Sequence, residues 1–211
     1  MIDLARSIDD VLEIDGRCFR LNLAFDTVLR LFEMVHDEEI PLFAQPHLAL
    51  RILIKSEGVE EKQRLEEFLG SLSIESAFEV YKAIFDEHIV IKNAKEQAPM
   101  YDLAGNLVEK RIRSRSIEEE EEENPLFSLK YDGDYIYSSF LQAYQIDLIE
   151  MQGVLHWQKF FALLNGLPSD TKFAEVLRIR SWEEQKGDSP EYKEKMRRLQ
   201  DEYALPEYFE Y

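Results

Sequence analysis

One cysteine, Cys18, stands in 211 residues. A single thiol can form neither an intrachain disulfide nor a thiolate metal cluster, and the count fits a reducing compartment. Long apolar runs are missing as well: none approaches the roughly 20 residues that span a bilayer. The opening MIDLARSIDD has acids where a signal peptide needs an apolar stretch. These absences predict a soluble, intracellular chain. Positive charge is scarce too. With 25 Lys and Arg against 43 Asp and Glu, the formal net charge is −18, a field that repels DNA and anionic membranes. The one basic cluster, Lys110, Arg111, Arg113 and Arg115, runs straight into six glutamates and has no aromatic residue to stack a base. Neither nucleic acid nor a membrane is expected as a partner.

Chemical motifs are also lacking. No G-x-S-x-G elbow, P-loop or G-x-G-x-x-G turn occurs. His36, His47, His88 and His156 lie far apart and none belongs to an H-E-x-x-H arrangement. Asp132-Gly133-Asp134 has the start of a calcium loop but runs on into an amphipathic helix, so its acids are expected as turn and N-cap residues. Asp37-Glu38-Glu39 reads as an exposed acidic helix end rather than a cation site. His156 reads as a core or capping histidine, and Cys18 as a buried structural thiol rather than a reactive one. With 43 acidic residues, no two can be singled out as an acid and base pair. No catalytic residue, cofactor or metal site is therefore expected, and the chain reads as no enzyme.

What is abundant is apolar periodicity: 45% of the residues are hydrophobic and 12% aromatic, enough to fill a core. VLEIDGRCFRL places two β-prone runs around Asp15-Gly16, a pair suited to a tight turn, and predicts a β-hairpin. Val28, Leu31, Phe32 and Val35 then recur at helical spacing. LALRILI (48–54) restarts the pattern after Pro41 and Pro46. Leu65, Phe68, Leu69 and Leu72 supply another stripe, and Ala77, Phe78, Tyr81, Ile84, Phe85 and His88 a longer one running from Glu75 to about Ala94.

Periodicity stops between Gln97 and Asn124, where the basic run meets Glu118 to Glu123. Blocks of like charge stay solvated, so this stretch is expected as a tether, with a solvated continuous helix as the competing reading. Beyond it, Ile136, Phe140 and Tyr144 predict one helix, and Trp157, Phe160, Phe161 and Leu164 a second, ended by Asn165-Gly166. Phe173, Val176 and Leu177 mark a third, begun near Pro168, Ser169 or Asp170. A charged helix from about Pro190 to Tyr203 follows. The expected fold is mainly α: residues 1–97 a β-hairpin and helical module, 98–126 an acidic, charged linker, and 127–211 a compact helical bundle. In the tail, Tyr208, Phe209 and Tyr211 either fold back or offer aromatic anchors to another chain, and they are the candidate partner-binding residues.

The stretch Y-D, D-Y-I-Y-x-x-F, Q-x-Y-x-I-D-L, L-H-W-x-K-F, G-L-P-x-D-T-K-F and R-x-R-S, between Tyr131 and Ser181, resembles the bacteriophage gene-product-fifteen family. Those are tail-region proteins of phages and prophages of Gram-positive bacteria. The V-L-E-I-D-G-R-C-F-R-L hairpin, F-D-T-V-L-R-L-F-E and the closing Y-A-L-P fit the same family. The resemblance implies a tail assembly chaperone in the host cytoplasm that binds the tape-measure protein, or other tail proteins, before the tail tube polymerises. Its alternatives are a structural component retained in the virion tail, and an acidic nucleic-acid mimic acting on a DNA-binding enzyme. A homo-oligomer is compatible with each. The middle of the family varies, so the glutamate run inherits no meaning, and the family transfers no catalytic residue.

Overall fold

The computed structural model describes Ala5, Ile8 and residues 10–14, 16–90 and 126–206. Among them are one two-stranded antiparallel sheet and eight α-helices, so the fold is mainly α, as the periodicity predicts. The charged stretch 98–125 lies outside the described residues, and so does the choice between tether and helix for its glutamates.

Strands β1 (Val11–Ile14) and β2 (Arg17–Arg20) pair with Leu12 opposite Phe19 and Glu13 opposite Cys18. Successive residues in a strand point to opposite faces. Leu12, Ile14 and Phe19 therefore pack inward, Phe19 with its ring 4.5 Å from that of Phe68. The same alternation corrects the expectation for Cys18, which is exposed on the outer face beside Arg20.

Helices α1 (Phe25–Val35), α2 (Gln45–Leu53), α3 (Gly58–Ser71) and α4 (Ile74–Ile84) follow. Pro46 sits in the first turn of α2, where its missing N–H costs no helical bond. Ser73 caps α4 by accepting from the Ser76 amide. A single π-helical turn, Phe85–Ile89, extends α4. The buried line of α4 runs through Ala77 and Ile84, which leaves Phe78 exposed rather than in the core. A broad apolar stripe does not say which of its edges turns inward.

The second described stretch carries α5 (Gly133–Tyr144), α6 (Trp157–Asn165), α7 (Lys172–Arg180) and α8 (Pro190–Glu202). Helix α7 begins two residues later than Asp170, after Thr171, whose hydroxyl donates to the Pro168 carbonyl at 2.7 Å. Aromatic rings organise this part. Phe140 stacks on Phe160 at 5.3 Å, and Phe127 meets the edge of Phe173 at 5.6 Å.

The two stretches share one core. Leu21, Val28, Leu53 and Ile84 belong to the same buried cluster as Ile136, Phe140, Trp157 and Phe173. Polar bonds stitch the seam: the Phe25 amide donates to the Leu155 carbonyl at 2.9 Å and the Trp157 amide to the Leu23 carbonyl at 2.7 Å. The Trp157 indole N–H donates to the Ile89 carbonyl at 3.0 Å, and the Phe25 ring stacks on Phe160 at 4.9 Å. A buried Trp N–H needs an acceptor, so this bond fixes the end of the π-helical turn against α6.

Candidate interaction surface

The titratable side chains of interest serve the fold. His156 is the N-cap of α6: its Nδ1 accepts from the Gln158 amide at 3.1 Å, so Nε2 carries the proton and donates to Asp10 at 3.2 Å. This is the capping role that its position predicts. Asp132 occupies the N-cap position of α5, as expected, but its side chain has another role. Its side chain caps nothing; it is 1% exposed and accepts from the Ser128 amide and from both terminal nitrogens of Arg180. The partner lies 48 residues further along the chain, beyond the reach of local pattern. Among the described residues, no group of three or more His, Cys, Asp or Glu is placed to hold a metal ion. No helix among them is long and apolar enough to cross a membrane.

The surface is more informative than the polar interior. An open apolar cleft of about 420 Å³ lies between α1, α5 and the turn before α6. Its wall is built by Phe25 and Leu29 of α1, Leu129, Ile136 of α5, and Leu148 and Ile149. The first two residues are one helical turn apart and so share a face. Asp147 shapes the far side: its Oδ1 accepts from the amides of Ile149 and Glu150, and its Oδ2 accepts from the Tyr137 hydroxyl at 3.1 Å. That turn presents Ile149, 64% exposed, at the lip. Gly153, at φ +72°, lets the chain bend back toward α6 while its amide donates to Asp26 at 2.7 Å.

The rim is acidic. Asp134 lines the cleft, Asp147 is bonded to the lining Tyr137, and Glu150 follows the lining Ile149, its amide donating to Asp147 at 3.3 Å. The bond to Asp147 comes first among the causes that raise the Tyr137 pKa above its ordinary value; burial and the charges of Asp147 and Glu150 add to it. Next in sequence to the lining residues Leu29 and Leu129, Arg30 is paired with Asp26 at 2.8 Å and Lys130 sits 5.9 Å from the ring centre of Tyr131.

The family described as Bacteriophage Gp15 protein matches residues 7–205, nearly the whole chain. The chain belongs to that family. The match takes in the hairpin, all eight helices and every residue of the cleft. No curated protein and no solved structure matches this chain. Of the predicted partner residues, Tyr208, Phe209 and Tyr211 lie outside the described residues. The cleft was not among the sequence-predicted sites, because its walls come from positions more than a hundred residues apart, Phe25 and Leu148 among them. Exposed Leu42 and Phe43 form a second apolar feature, between α1 and α2. Gln45 and His47 tie that region to the Val35 and Leu72 carbonyls, at the end of α1 away from the cleft.

Proposed function

We propose that this Gp15-family protein is a phage or prophage tail assembly factor of the chaperone type, acting in the host cytoplasm. It binds the tape-measure protein before the tail tube polymerises and takes part by contact rather than by catalysis. Membership of a phage family supports the phage setting. The observation that carries the mode of action is the open apolar cleft on a strongly acidic body. A long helical client with apolar stripes is insoluble alone, and a groove of this kind covers such a stripe as grooves cover amphipathic helices. The net charge of −18 keeps the loaded complex dispersed.

The test is co-expression with the neighbouring tape-measure gene product. The reading expects a soluble complex that co-purifies. A tape-measure chain that stays equally insoluble, with nothing co-purifying, overturns it. Mass spectrometry of purified particles separates an assembly factor, absent from the virion, from a retained tail component.

A further inference from the structure

We propose that the cleft receives a single amphipathic helix whose apolar stripe is flanked by lysine and arginine. The inference deepens the proposed function by naming the client's chemistry, and it rests on that reading only in taking the occupant to be another polypeptide. The cleft floor is apolar, with Phe25, Leu29, Leu129, Ile136 and Leu148 contributing, so the occupant must bring apolar side chains to it. A contiguous apolar face rimmed by polar residues is the usual form of a docking surface. The lining comes from two helices, α1 and α5, and from the turn before α6, so a helix laid on it would meet apolar side chains from each.

Charge selects the kind of rod. Asp134, Asp147 and Glu150 stand around the cleft, and among the described residues none of the three is in an ion pair. Asp26, whose carboxylate also holds the Gly153 amide, is already joined to Arg30. Acidic flanks on the occupant would meet like charge, whereas Lys or Arg one turn either side of its apolar stripe would meet these carboxylates. A second copy of this chain is disfavoured on the same ground. A two-fold contact through the cleft would set Asp134, Asp147 and Glu150 against their own copies, between bodies that each carry −18.

The experiment uses the full chain and two synthetic 18-residue helical peptides. Both carry the same Leu and Ile stripe; one is flanked by lysine, the other by glutamate. Fluorescence anisotropy is expected to give the lysine peptide at least a tenfold lower Kd at low salt, with the difference shrinking as salt rises. Ile149→Asp, at an exposed position that tolerates a polar side chain, is expected to weaken the lysine peptide at least tenfold, whereas Leu42→Asp, at the other end of α1, leaves it unchanged. The double variant D134N/E150Q is expected to lose most of the preference between peptides. Equal binding of the two peptides, or no binding, overturns the proposal. So does an Ile149→Asp protein that binds as the wild type does.

Two further outcomes would name a different occupant and count against the proposal. One is a wild-type chain that sediments as a dimer and turns monomeric on Ile149→Asp. The other is a Lys110, Arg111, Arg113 and Arg115 to Ser variant that binds the lysine peptide much more tightly, as it would if the chain's own basic run held the cleft. The result is separable from the proposed function. Peptide binding without rescue of the tape-measure chain leaves the cleft chemistry standing and removes the client. Rescue by Ile149→Asp as good as by the wild type does the reverse.

Discussion

Arg180 grips Asp132 with both terminal nitrogens, at 2.7 and 2.8 Å from the two carboxylate oxygens. The same guanidinium donates to the carbonyls of Tyr203 and Leu126, so one side chain ties the end of α7 to the start of α5 and to the residue after α8. Truncating one member of a buried pair leaves the other without its counter-charge. Asp132→Ala and Arg180→Ala are each expected to lower stability by about 3 to 5 kcal/mol in urea unfolding. Removing both side chains should cost less than the sum of the two single losses, because no lone buried charge remains.

Trp157 is the second structural anchor, joining the part before the charged stretch to the part after it. Trp157→Phe keeps most of the ring but leaves the buried Ile89 carbonyl without its donor, an expected loss of about 1 to 3 kcal/mol. Trp157→Ala adds a cavity and is expected to cost about 3 to 5 kcal/mol. Because the core is shared, unfolding followed by circular dichroism should stay a single transition in the milder variant.

The cleft wall contains a titration marker. Ionising Tyr137 forfeits its bond to Asp147 and places a phenolate beside Asp147 and Glu150, so its folded pKa lies above the ordinary 10.0. A raised folded pKa means that the contribution to stability is complete below the ordinary value and is lost as pH climbs through the folded one. Burial raises the Tyr81 phenol as well, so phenolate absorbance should show late-ionising tyrosines of which Asp147→Asn brings only Tyr137 back toward 10.0.

Gln145 ends α5 in the left-handed region, at φ 55°. A side chain with a β-carbon is strained there and glycine is not. Gln145→Gly is expected to raise stability by up to about 1 kcal/mol, the strain relieved being partly offset by the freer unfolded chain. Thermal unfolding checks the sign.

Much of the fold was legible because local patterns dictate local structure. The period-two run around Gly16 became the hairpin, and the stripes of α1, α3, α5 and α6 became buried faces, with Val28, Leu65, Phe140 and Trp157 in the core. His156 before Trp157 read correctly as a cap. Three features escaped for physical reasons. Cys18 sits on the outer face because Phe19 takes the inner one, and a short strand does not announce which face is covered. The ion pair of Asp132, the N-cap residue of α5, escaped because its partner Arg180 is distant in sequence. The cleft escaped because a stripe identifies a buried face but not its neighbour: Phe25 meets Phe160, and the gap beside them opens only once α1 and α5 are placed together.

Contact between the cleft and its client is tested most directly by photo-crosslinking. A benzophenone amino acid is placed at position 149, or at position 42 as the control, in cells that also make the tape-measure chain. The account predicts an adduct with the tape-measure protein from position 149 and none from position 42. Adducts from 42 alone, or none from 149 while the two proteins still co-purify, would contradict it.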